Sequence, residues 1–219
     1  AVLAGGRLPG RTQEGLDVMG MGGAIELGTT EGVKKLLTAV TATTLGIELI
    51  GALCLFALWG SGLMPVPAQY DDVAGALWWS VFNSISAFCH AGFVLSPDSL
   101  VPYASNTPVN AVFIALIMLG SLGFAVIADL QQRSLWGYWR QPRVLWGKFH
   151  IQTRVVLLGT LVLSVAGMLA FLTFEYNGAM SGLGLGGKLN ASLFQSITLR
   201  SGGLNSVDIA AIAAPKSGR

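Results

Sequence analysis

The chain has 219 residues, of which 53% are hydrophobic and only 11% are charged, leaving a net charge of +2. Soluble domains carry about 25% charged residues, so this composition excludes an ordinary soluble domain and, with a mean hydropathy of +0.63, points to the membrane. The small positive surplus implies no nucleic-acid partner. The two cysteines, Cys54 and Cys89, build neither a disulfide framework nor a metal-ligand spacing.

Residues 1–33 are glycine-rich and poor in aromatics, and are expected to form a cytoplasmic tail with a short lead-in helix. Three windows, residues 36–59, 109–128 and 155–174, have the roughly 20 apolar residues that a helix needs to cross a bilayer. The first is too long and too far from the start to be a cleaved signal peptide. Lys34 and Lys35 precede it, and Arg133, Arg140, Arg143 and Lys148 fill the connection between the second and third windows. Residues 60–108 carry Asp71, Asp72 and Asp98 but no lysine or arginine. The excess of positive charge on cytoplasmic loops therefore places residues 1–35 and 129–152 in the cytoplasm, and residues 60–108 and the segment after Glu175 outside. The chain starts at Ala1 and stops soon after its last motif, and is expected to be an internal or truncated piece of a longer protein.

Two segments on the outer side look like one design used twice. Phe82-Asn83-Ser84-Ile85-Ser86 runs into the turn Cys89-His90-Ala91-Gly92-Phe93, and Phe194-Gln195-Ser196-Ile197-Thr198 runs into Arg200-Ser201-Gly202-Gly203-Leu204. Their short helices, expected over residues 78–87 and 191–199, cannot span a bilayer. They fit pore helices that dip into the membrane within loops at about 76–95 and 190–206, the chain returning extended. A narrow ion path needs backbone carbonyls aimed at the ion, and glycine reaches backbone angles that other residues resist. A pore helix also directs its partly negative C-terminus toward a cation. The expected fold class is an all-α membrane protein of span–pore loop–span repeats. One repeat is complete over residues 36–128, and about two-thirds of another lies in residues 153–219 after the linker at 129–152.

The residues then become specific. Ser86-Ala87-Phe88-Cys89-His90-Ala91-Gly92-Phe93 is similar to the second-repeat filter of the Trk/Ktr/HKT superfamily of potassium transporters, and the segment from Phe194 to Asn205 resembles its third-repeat filter. Leu119-Gly120-Ser121-Leu122-Gly123-Phe124 followed by Asp129-Leu130, and Ile47-Glu48-Leu49-Ile50-Gly51, resemble two further motifs of that second repeat. The resemblance implies a potassium uptake subunit with four such repeats around one pore. K+ is the implied transported ion, with Na+ in a sodium-translocating relative, and no cofactor is implied. The implied partners are membrane lipid, a second copy in a homodimer, and a cytoplasmic nucleotide-binding regulatory subunit. The implied location is the cell inner membrane, crossed several times. On the same basis His90, Ala91, Gly92 and Phe93 form one filter strand and Ser201, Gly202, Gly203 and Leu204 another, with Cys89, Arg200, Asn205, Asp208 and Glu48 in support.

His90 departs from the family's asparagine. The favoured reading is a neutral imidazole hydrogen-bonded behind the filter in place of the amide; the alternative is a group that charges as pH falls and repels cations. Arg200 is expected to point off the axis and brace the filter through carbonyls or a carboxylate, with Asp208 as first candidate and Glu48 as second. Glu48 is expected to accept hydrogen bonds from a pore helix, since charges at membrane depth face the protein interior. Gly182–Gly187 matches G-x-G-x-x-G formally, but without a strand before it and a helix after it is a flexible loop, not a nucleotide site. No paired carboxylates, Ser–His pair or metal-ligand cluster lies in the spans, so no enzyme is expected. A non-conducting fragment and a membrane assembly factor are the remaining readings.

Overall fold

The computed structural model describes residues 30–132, 146, 149–176 and 178–207. Among them are six α-helices and no strand: α1 (Thr30–Gly60), α2 (Val73–Phe88), α3 (Thr107–Leu122), α4 (Phe124–Gln132), α5 (Ile151–Glu175) and α6 (Leu185–Ser201). Two stretches are long and apolar enough to cross a membrane, Leu36–Gly60 and Ile151–Glu175.

The third expected window does not form one helix. α3 stops at Leu122, Gly123 adopts φ +78, and α4 begins at Phe124. That left-handed angle is one that glycine takes without steric cost. At 16 residues, α3 is about 24 Å long, short of the hydrocarbon thickness. The two short helices are longer than expected, at 16 and 17 residues. α2 begins early because Asp72, in extended conformation, accepts the Gly75 N–H at 3.2 Å as an N-cap. α6 begins at Leu185, so the second half of the glycine-rich run is helical rather than loop. Gly187 packs closely there, a Cβ at this position lying 2.8 Å from Ser105 Oγ.

The chain divides into two compact units, Ala1–Thr43 with Leu122–Leu158, and Thr44–Ser121 with Gly159–Arg219. In the first, the buried Asp129 of α4 accepts the Thr153 hydroxyl at 2.7 Å and the His150 N–H at 3.2 Å. A carboxylate at the start of α5 complements that helix's dipole.

The second unit holds both glycine turns. α2 lies against α1 and α3: Trp79 is fully buried, with its ring 5.9 Å from Tyr103 and edge-on to Phe113 at 6.4 Å. Leu55, Leu116, Ile117, Phe194, Ile197 and Leu204 complete one continuous core, so residues from both turn-bearing segments are buried in the same cluster. The segments between α1 and α3 are pinned by side-chain amides and a phenol. Tyr103 Oη donates to Pro65 O at 2.5 Å, Asn106 Nδ2 to Leu63 O at 2.6 Å, and Asn190 Nδ2 of α6 to Ala104 O at 3.1 Å.

Candidate ion-filter site

Each short helix is fastened to the long helix before it by the same device. Ser84 Oγ donates to Glu48 O on α1 at 2.7 Å, and Ser196 Oγ donates to Ser164 O on α5 at 2.8 Å. These are the equivalent serines of the two Phe-x-Ser-Ile segments. The close approach is possible because a glycine sits three residues further along each long helix. A Cβ on Gly51 would lie 2.5 Å from Ser84 Oγ, and one on Gly167 would collide with Ser196 Oγ. The surroundings differ on the other side. Leu116 of α3 fills the seat beside Gly51, whereas the Gly167–Ser196 side opens on an apolar groove of about 550 Å³ lined by Ala166, Ala170, Phe171 and Leu199 among others.

The helices deliver their C-terminal turns to one place. Gly92 has φ +71 and Gly203 φ +65. A Cβ built on Gly92 would stand 3.2 Å from Gly203 Cα, and one on Gly203 would stand 3.0 Å from Gly92 Cα. The two glycines that the sequence singles out therefore abut, 111 positions apart by their numbers (203 minus 92), each needing glycine for both angle and space. The segments that follow the turns are also tied together, with Leu100 N–H donating to Asn205 O at 2.9 Å and Asn205 N–H to Ser99 Oγ at 3.0 Å.

Glu48 Oε1 accepts from Cys89 Sγ at 3.3 Å, so Glu48 is a partner of the first turn and not of Arg200. Arg200 folds back onto α5 and its own helix, donating to Ser164 Oγ at 2.5 Å, Ser196 O at 3.3 Å and Thr160 O at 3.4 Å. No carboxylate is among these contacts, and Asp208 lies outside the described residues. Beside Arg200 a cavity of about 230 Å³ is lined by Met118, Ser121, Thr160, Leu163, Ser164 and Ile197.

His90 is not hydrogen-bonded behind the turn among the described residues. Both imidazole nitrogens are buried without a partner, and a Cβ on Gly120 of α3 would come within 2.9 Å of Nε2. The position instead selects for backbone: His90 has φ +56, and histidine, like asparagine, is among the non-glycine residues enriched at such angles. Phe93 is 70% exposed, while Leu204 is fully buried in the core, so the two residues after the glycines are not equivalent in packing. Sequence reasoning missed Lys188. This buried lysine in the first part of α6 donates to Tyr176 O at 2.8 Å and lies 3.6 Å from the centre of the Tyr176 ring.

The described residues, helical without a strand, with two helices of membrane length and two abutting glycine turns, fit the class of helical membrane transport proteins. Within that class a sequence model of the TrkH family, described as cation transport protein, matches residues 24–215, and the chain belongs to this family. It is 35% identical over 187 residues to Ktr system potassium uptake protein B of Bacillus subtilis (strain 168), covering 84% of this chain and 38% of that protein. It is 31% identical over 185 residues to Ktr system potassium uptake protein B of Vibrio alginolyticus, covering 84% of this chain and 37% of that protein. Potassium/sodium uptake protein NtpJ of Enterococcus hirae is 31% identical over 186 residues, with 84% of this chain and 37% of that protein covered. The chain thus spans less than two-fifths of the length of these curated relatives, each named as an uptake protein.

Proposed function

We propose that this chain supplies two of the filter strands of a potassium-conducting pore in the cell membrane, with K+ stripped of water and held by backbone carbonyls of the two turns. The abutment of Gly92 and Gly203, both at positive φ, carries this reading. Two turns that approach so closely, each at the C-terminal end of a short helix, make a constriction bordered by backbone rather than side chains, which is the chemistry a dehydrated alkali cation requires. The pore helices end there, adding the partly negative ends of their dipoles. Arg200, drawn onto α5, keeps its guanidinium bonded to neutral oxygens.

The chain on this reading crosses the membrane several times, with both turns entering from the outer face and the basic linker in the cytoplasm. The complete protein works as a homodimer with a cytoplasmic nucleotide-binding regulatory subunit, a reading supported by its likeness to Ktr system uptake proteins. Sodium translocation is the second reading, favoured by the relative named as a potassium/sodium uptake protein and by a 26% identical relative named sodium transporter HKT1 of Arabidopsis thaliana. Rubidium and sodium uptake by proteoliposomes carrying the complete protein separates the two. Rubidium entry that exceeds sodium entry supports the potassium reading, sodium preference supports the second, and absence of both fluxes refutes the pore.

A further inference from the structure

The hydroxyls of Ser86 and Thr198 occupy the last residue of each Phe-x-Ser-Ile-Ser/Thr segment, and both side chains are almost fully buried. Ser86 Oγ donates to Phe93 O at 2.5 Å, and Thr198 Oγ1 donates to Leu204 O at 2.7 Å. Thr198 Oγ1 also accepts the Leu204 N–H at 3.1 Å. In both turns, then, a hydroxyl on the short helix reaches across to the residue immediately after the key glycine. The two loops differ in length, the tie spanning seven positions in the first and six in the second. The extra residue is absorbed at His90, whose left-handed backbone lets the longer loop close on the same tie. Ala91 N–H also bonds to Ser86 O at 2.9 Å and Gly203 N–H to Thr198 O at 3.4 Å, so the backbone closes on the residue before the key glycine in the first turn and on the glycine itself in the second.

A carbonyl that accepts a short hydrogen bond is oriented toward its donor. The Phe93 and Leu204 carbonyls are thereby turned back toward the short helices. Among the described residues, the carbonyls of Ala91, Gly92, Gly202 and Gly203 accept no such bond. We propose that Ser86 and Thr198 are positioning residues for ion selectivity: they withdraw the Phe93 and Leu204 carbonyls from the ion path and leave those of Ala91, Gly92, Gly202 and Gly203 to face the cation. This inference rests on the filter reading above. It also gives the recurrent Ser/Thr a role separate from that of Ser84 and Ser196, which fasten helix to helix.

The test is rubidium and sodium uptake by the complete protein in proteoliposomes, with the reconstituted amount measured for each variant. Ser86→Ala and Thr198→Val remove the hydroxyl with little change in shape, whereas Thr198→Ser keeps it. The rubidium-to-sodium ratio falls by about tenfold in the first two, the scale of one buried hydrogen bond, and stays near wild type in Thr198→Ser. An unchanged ratio in Ser86→Ala and Thr198→Val overturns the proposal, as does a Thr198→Ser variant that behaves like Thr198→Val. Should the valine variant fail to accumulate, hydrogen exchange of wild type and Thr198→Ser decides. A protected Leu204 amide in both upholds the tie, and exchange at the rate of an open loop overturns it. Wild-type protein that passes neither ion refutes the filter reading itself, an outcome distinct from altered selectivity.

Discussion

Substituting alanine for Gly203 tests whether the two turns meet in the working protein. The added Cβ faces two obstacles. At φ +65 an L-residue sits in the left-handed region, which costs about 1–2 kcal/mol. The Cβ would also lie 3.0 Å from Gly92 Cα, a backbone atom that cannot swing aside, and overpacking of this kind costs about 1–3 kcal/mol. The sum, about 2–5 kcal/mol, falls on the geometry of the turn pair, and at 1.4 kcal/mol per decade it lowers the population of the native turn by at least about 30-fold. Initial rates of radiolabelled rubidium uptake, normalised to membrane-inserted protein, should fall accordingly. Gly62 is the control: it has φ +73 and nothing within 4 Å of a built Cβ, so Gly62→Ala carries the angular strain alone, in a loop away from the turns. It should transport close to wild type. Gly92→Ala meets Gly203 Cα at 3.2 Å, so combining it with Gly203→Ala should give a non-additive loss, as contacting residues do. Wild-type uptake by Gly203→Ala, or equal losses in Gly203→Ala and Gly62→Ala, would refute the abutment as a functional feature.

Other expectations concern the scaffold. Gly51→Ala and Gly167→Ala should each lower the thermal midpoint in detergent, and Gly51→Ala more, because its Cβ also lies 2.6 Å from Leu116 Cδ2; equal shifts would deny Leu116 its part. Asp129→Ala should destabilise by about 1.5–3 kcal/mol, the value of hydrogen bonds to a charged group, through the lost contacts to Thr153 and His150. An unchanged midpoint would show that the start of α5 does not depend on that carboxylate. Burial pushes the Tyr103 phenol up to about 12 from its usual value of about 10. Because the folded state raises the value, the associated stability is fully present below about pH 10 and is lost as pH rises through about 12. Thermal midpoints should decline over that alkaline window in wild type and lose that decline in Tyr103→Phe; the same slope in both would assign it to another group.

Much of this was legible in the sequence, and the exceptions have physical causes. Scarcity of charge marked the membrane class, and the paired Phe-x-Ser-Ile segments located both short helices, because a glycine that must reach positive φ leaves a visible trace. The break at Gly123 was hidden because one glycine within an apolar run is tolerated in a helix, and only the adopted angle distinguishes tolerance from termination. The start of α6 was hidden for the converse reason. Gly186 and Gly187 are poor helix formers, about 1 kcal/mol each below alanine, yet the Ser105 contact at Gly187 and the Lys188 bond to Tyr176 O accompany a helical turn there. For Arg200 the sequence offered backbone carbonyls or a carboxylate, and charge alone could not choose between them; its contacts are two carbonyls and a serine hydroxyl.

That last point separates what the two halves share from what they do not. Glu48 and Ser164 are equivalent by their contacts, each offering its backbone oxygen to the serine of a short helix. Their side chains also serve the end of that helix, Glu48 by accepting from Cys89 and Ser164 by accepting from Arg200. The charge has changed sides: acidic on the long helix in the first half, basic in the last turn of the short helix in the second, where it complements the negative end of that helix. Had the halves been held by ion pairing, a glutamate and an arginine would face each other, and they do not. The common element is the serine-to-carbonyl bond with its nearby glycine, a neutral fastening that holds each short helix to the long helix before it.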